Sequence, residues 1–109
     1  SEIDAYDDPV GEFQHRAFHV RFFPDGSVQY WRDAHVVIEN LRFKPDTWVD
    51  VLIRADLKAS TFDLSVDGVT ARGLPFGVEG VHRIQCISLS PNTRDCALYI
   101  DRVKVTVQP

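Results

Sequence analysis

No stretch of the chain approaches the ~18 consecutive apolar residues that a membrane-crossing helix needs, and no basic segment leads into an apolar one at its start. Neither a spanning helix nor a signal peptide is expected within these 109 residues, and no membrane partner follows from them. An excess of basic charge is also missing, with 12 Lys and Arg against 16 Asp and Glu and a net charge of −4. Four of the acids (Glu2, Asp4, Asp7, Asp8) fall in the first eight residues, which hold no base, so the rest is balanced at 12 to 12. Phosphate-binding surfaces concentrate Lys and Arg, so nucleic acid is not an expected partner. Helical spacing is absent too, since no window sustains apolar residues at i, i+3, i+4 and i+7. There are only two cysteines. The length allows one domain, and 44% hydrophobic with 26% charged residues is a folded, globular composition.

What is present is alternation with a period of two. Phe18, Val20 and Phe22 alternate with His19, Arg21 and Phe23, and Val49, Val51, Ile53 and Ala55 alternate with Asp50, Leu52, Arg54 and Asp56. Phe62, Leu64 and Val66 alternate with Asp63, Ser65 and Asp67, and Val103, Val105 and Val107 with Lys104 and Thr106. Turn residues punctuate these runs at Pro24-Asp25-Gly26, Lys44-Pro45-Asp46, Asp67-Gly68, Gly73 to Gly77 and Pro91-Asn92. Six to eight half-buried antiparallel strands without helices pack as two sheets, so the expected fold is an all-β antiparallel β-sandwich. Its expected core holds Phe18, Val20, Phe22, Val28, Tyr30, Val49, Val51, Ile53, Phe62, Leu64 and Val66. Residues 1–12 lack clear alternation and read as an acidic tail or loop, leaving 13–109 as the sandwich.

One hairpin yields a register. In Phe23-Pro24-Asp25-Gly26-Ser27, Pro presets φ, Asp suits the next position and Gly accepts the left-handed conformation of a three-residue bulged loop. That loop puts Phe22 across from Val28 and Val20 across from Tyr30, and on the other face Arg21 across from Gln29 and His19 across from Trp31. A two-residue loop would mix the faces.

A Trp opens the run Asp46-Thr47-Trp48-Val49-Asp50-Val51-Leu52-Ile53, a strand closes on Asp67-Gly68, and the chain nears its end with Tyr99-Ile100-Asp101-Arg102-Val103-Lys104-Val105. Together these resemble the C-terminal half of concanavalin A-like lectin/glucanase domains, the jelly rolls that include laminin G-like modules, over roughly residues 17 to 107. Such domains usually run to nearly twice this length, so the resemblance implies a minimal version, an excised half or one product of a cleaved precursor. A half-sandwich leaves sheet edges to be covered, which implies a homo-oligomer or a partner chain joined through an edge. Calcium is a family-level possibility at Asp101, although nothing nearby gathers the ~6 to 8 oxygens it takes; no other cofactor is implied.

Retaining glucanases of this superfamily carry Glu-x-Asp-x-Glu or Glu-x-Asp-x-x-Glu on one strand. The glutamates here are Glu2, Glu12, Glu39 and Glu79, none near another, so no catalytic residue is assigned. His15 and His19 have the spacing of a helical zinc pair, but on a strand they sit ~13 Å apart, too far to share a metal. His35 and His82 are isolated, and serine-nucleophile and phosphate-loop motifs are missing. Cys86 and Cys96 face each other across a potential hairpin; a disulfide, as in an extracellular or periplasmic protein, and two buried thiols both remain open. The ligand-binding candidates are His19, Arg21, Gln29 and Trp31 on the outward face of the first hairpin, with Trp48 nearby. An indole beside amide, imidazole and guanidinium donors suits a pyranose ring, whereas a buried Trp31 would merely cover an edge. The expected function is a non-catalytic, lectin-like carbohydrate-binding module with a glycan as partner. The alternatives are the C-terminal part of a glycoside hydrolase or polysaccharide lyase whose acids lie outside this chain, and a structural assembly module.

Overall fold

Alternation and turn chemistry translate into strands with no helix among the residues that the computed structural model describes, which are 1–7, 16–91 and 98–106. In chain order the strands are β1 (Glu2–Tyr6), β2 (Arg16–Phe22), β3 (Ser27–Trp31), β4 (His35–Arg42), β5 (Val51–Asp56), β6 (Thr61–Val66), β7 (Val69–Pro75) and β8 (Cys86–Ser90). They form a five-stranded antiparallel sheet in the order β4-β3-β2-β1-β8 and a three-stranded one in the order β5-β6-β7. The two lie face to face, and a radius of gyration of 13.3 Å agrees with the ~13 Å of a compact chain this long.

The first hairpin has the register that its turn residues dictate. Val20 pairs with Tyr30, Arg21 with Gln29 and Phe22 with Val28. The Phe23 amide donates to the Ser27 carbonyl at 2.9 Å, and the Gly26 amide to the Phe23 carbonyl at 3.0 Å. Asp25 accepts from the Ser27 amide at 2.9 Å and the Ser27 hydroxyl at 2.6 Å, bonds that hold its carboxyl below the usual carboxylate range. Gly26 sits at φ +89°, and a Cβ there would lie 2.8 Å from the Phe43 carbonyl oxygen. The β6–β7 turn places Asp67 at φ 48° and Gly68 at φ 85°, the paired left-handed residues of a two-residue hairpin.

Phe62 of β6 anchors the core. Its ring stacks on Phe18 at 5.1 Å and meets Tyr30 edge-on at 6.4 Å, joining the two sheets. Phe18, Val20, Val28, Phe62, Leu64 and Val66 are buried as the alternation requires, and Phe22, Tyr30, Val49 and Ile53 pack partly buried against them. Ala5, Ala17, Ile38, Leu41, Ala71, Phe76 and Val81 complete the cluster. On one side β4 closes onto β7, where the Asn40 side-chain amide donates to the Thr70 carbonyl at 3.2 Å.

Three expectations are corrected. Glu2–Tyr6 is no tail: β1 lies between β2 and β8, with Ile3 and Ala5 on the core face beside Val20 and Phe18. Val51 is 37% exposed, because β5 is an edge strand and no strand among the described residues flanks its outer side. Residues 103–106 form no strand and lie exposed outside both sheets, while Val107 falls outside the described residues.

Gly26→Ala should cost about 1–3 kcal/mol, because the added Cβ meets backbone at a φ that L residues avoid. Urea unfolding monitored by Trp fluorescence reads this as a lower midpoint with an unchanged slope.

Candidate functional site

Alternation sends every second side chain of the five-stranded sheet away from the core. One row across this outer face runs Ser90, Glu2, Arg21, Gln29, Val37. The next contains Ser88, Asp4 and His19, with Trp31 paired to His35 at its far end. The register shifts between Ala5 and Tyr6, where β2 carries one extra residue. By parity Arg16 would share the core face with Phe18, but the bulge turns it toward Asp4 and His19.

The lower layer of this face is charged and closed. Asp4 is 3% exposed, His19 5% and Arg16 9%. Asp4 Oδ1 lies 2.5 Å from His19 Nδ1 and 3.4 Å from Arg16 Nη1. A carboxylate only accepts, so the imidazole donates from Nδ1 and the guanidinium supplies the countercharge. Glu2 extends the network, with Oε2 3.7 Å from His19 Nδ1 and Oε1 3.4 Å from Arg21 Nε. That Arg21 contact is an ion pair only, since Nε is buried without a hydrogen bond. Tyr6 sits at the margin, where burial first and the Asp4 charge second push its phenol above the usual value.

Above it lies a layer of rings centred on His35. Trp31 meets His35 edge-on at 5.0 Å and 81°, Phe23 does so at 6.0 Å and 85°, and His19 lies beneath at 5.5 Å. The Arg21 guanidinium carbon lies 5.3 Å from the centre of the Phe23 ring, and Nη1 donates to His35 Nε2 at 3.1 Å. A nitrogen that accepts from Arg holds a lone pair, so His35 is neutral in this arrangement. Burial, then the charges of Arg21, His19 and Arg16, lower its pKa below the ordinary value.

The outer face is therefore a buried, paired polar floor carrying a half-open aromatic rim. Comparison with known families, curated proteins and solved structures finds no match. The site is accordingly read from its own geometry.

Arg21, Gln29 and Trp31 share the face expected of them, half-buried rather than open. His19 shares it as well, but beneath the rim and bound to Asp4, so it has no free ring to offer a ligand. Trp48 is 70% exposed in the connection before β5, and among the described residues no ring contact ties it to Trp31. His35, isolated in sequence, is the centre of the rim, and Arg16 reaches the floor only through the bulge. Glu2 and Asp4 share this face because Glu2-Ile3-Asp4 is part of a strand, while in sequence the pair lacks the further Glu of the glucanase pattern. Cys86 carries a free thiol on β8; Cys96, His15 and Glu12 lie outside the described residues.

Glu2, Asp4 and His19 place their ligand atoms within 4.8 Å of one another and could in principle chelate a metal. The fit is poor. Arg16 and Arg21 already neutralise both carboxylates, and a cation would have to break the Asp4–His19 bond and enter beside two guanidinium groups. Calcium fits least, since two carboxylates fall short of its ~6 to 8 oxygens. Asp101 is exposed and belongs to no such cluster among the described residues.

Asp4→Ala would remove the buried carboxylate that faces both Arg16 and His19 in a closed layer and should destabilise by about 3–5 kcal/mol, measured by thermal or urea unfolding. The second expectation concerns acid. Because folding lowers the His35 pKa, the unfolded chain binds more protons, so this contribution is fully present above about pH 6.5 and is lost as pH falls through the folded value. Melting temperature should fall between pH 7 and 5. His35→Gln, which keeps an acceptor for Arg21 but does not titrate, should flatten that slope.

Proposed function

We propose that the outer face of the five-stranded sheet binds a glycan, making the chain a non-catalytic lectin-like module. The observation that carries this reading is the rim itself, with Trp31, His35 and Phe23 presenting ring edges and faces beside Arg21 and Gln29. A pyranose offers an apolar C–H face and a ring of hydroxyls, which is the complement of an indole bordered by guanidinium and amide donors. The floor contributes rigidity: Glu2 and His35 hold Arg21 from two sides, so its remaining donors are pre-aimed and less ordering entropy is lost on binding. The finer fold that accompanies this reading is a concanavalin A-like jelly roll. The site residues are Trp31, Arg21 and Gln29 as expected from sequence, now joined by His35 and Phe23, with His19 as a positioning group.

One observation favours a second reading, glycoside hydrolysis. Glu2 and Asp4 lie two apart on one strand, as in the first part of the glucanase pattern, and their carboxylate oxygens approach within 4.8 Å. Retaining glycosidases hold their two carboxyl groups ~5 to 5.5 Å apart. Against this stands the floor, where Asp4 is closed from solvent and both acids are neutralised by arginine. Binding is therefore the leading reading.

A glycan array followed by titration calorimetry tests it. Trp31→Ala should weaken binding by about thirtyfold or more, some 2 kcal/mol, while Trp48→Ala should leave it unchanged. Equal affinity of wild type and Trp31→Ala would remove the site from this face. Release of reducing sugar by the wild type, abolished in Glu2→Gln with binding intact, would establish hydrolysis instead.

A further inference from the structure

On the side of the sandwich opposite the β4–β7 closure, no strand among the described residues joins the two sheets. By strand order its lips are β8 in one sheet and β5 in the other. Ile87 of β8 pairs with Ala5, so it belongs to the core face, yet it is 44% exposed. Val51 and Ala55 of β5 pair with Val66 and Phe62, both 1% exposed, yet Val51 is 37% exposed and Ala55 is exposed too. At the closed side Ile38, Leu41 and Ala71 are buried, and exposure of core-facing groups is confined to Val36 (37%) and, beside the β6–β7 turn, Val69 (49%). Core-facing Ile87 and Val51 thus reach solvent along β8 and β5, where no strand among the described residues flanks them.

The same chain carries an unused strand. Residues 98–106, Leu-Tyr-Ile-Asp-Arg-Val-Lys-Val-Thr, belong to neither sheet, and Tyr99, Ile100, Val103 and Val105 are 78%, 53%, 57% and 66% exposed. Val103 and Val105 alternate with Lys104 and Thr106, the pattern of a strand with one apolar face. Among the described residues no strand pairs with the outer edge of β8, whose backbone groups are there for it.

We propose that residues 98–106 of one copy add to β8 of a second copy, and the reverse, giving a two-fold strand-exchanged dimer. Val103 and Val105 then cover Ile87 and the core-facing end of β5, while Arg102 and Lys104 fall on the polar face beside Ser88 and Ser90, which carry no like charge. A second copy is the occupant because each chain presents both halves of the contact, the exposed segment and the open edge, and its own segment leaves its own edge unfilled. Reciprocal exchange pairs the β8 edges of both copies at once, and a two-fold pair uses each segment once and so closes on itself. The exchange is independent of the glycan face, which points away from the core.

Light scattering after size exclusion at tens of micromolar tests the proposal on the whole chain. The expected mass is twice 12.4 kDa. Val103→Asp with Val105→Asp should return it to a single copy with β-type circular dichroism retained, since neither residue contributes to the buried core. Hydrogen exchange on the wild type gives a second readout, in which amides of 98–106 and Cys86–Ser90 are protected in the dimer and lose protection together on dilution. A monomeric wild type overturns the proposal, whether 98–106 exchanges freely or is protected by docking on its own edge. So does a dimer that survives the double substitution.

Discussion

The hydrogen bond between Asp4 and His19 is the contact on which the rest of the outer sheet depends. It joins β1 to β2 through side chains buried on the face away from the core, where a lone carboxylate would be costly and a paired one is tolerable. Backbone pairing alone would let β1 slip by one residue, which would send Ile3 and Ala5 out and Asp4 into the apolar core. The Asp4–His19–Arg16 group opposes that slip. With β1 fixed, β8 has a partner, Phe18 and Val20 are flanked, and Arg21 finds Glu2.

The same interaction links stability to the candidate site. His19 is fixed from below by Asp4 and lies against His35 above, and Arg21 is held between Glu2 and His35. The ring cluster thus rests on a floor of balanced charge, two carboxylates against two guanidinium groups. Such a floor adds little net stability compared with apolar packing, but it resists rearrangement, because moving any member strands a charge. Rigidity of this kind suits a binding face, where order established in folding need not be established again on contact with ligand.

Much of the fold was legible in the chain and the reasons are local. The β2–β3 register follows from Pro24, Asp25 and Gly26, and the β6–β7 turn from Asp67-Gly68, because turn residues act on their own backbone. Partnerships at long sequence separation were not legible. Nothing near Asp4 announces a histidine fifteen positions on, so a five-residue strand with two acids reads as an acidic tail. The Arg16 bulge could not be foreseen either, since it arises only when β1 and β2 are paired. At the other end, the alternation of Val103 and Val105 is plain in sequence, and what the structure adds is that no strand among the described residues receives it. The site was half legible: Arg21, Gln29 and Trp31 follow from strand parity, whereas the burial of His19 and the central place of His35 depend on neighbours from β1 and β4.

Backbone hydrogen exchange of β1, followed by NMR near neutral pH, tests the account most directly. An inner strand locked by Asp4 and His19 should hold its ladder amides as long as those of Phe18 and Val20 in β2, opening only with the whole domain. Exchange of Ile3 to Tyr6 at the rate of an unstructured peptide, while β2 stays protected, would contradict it.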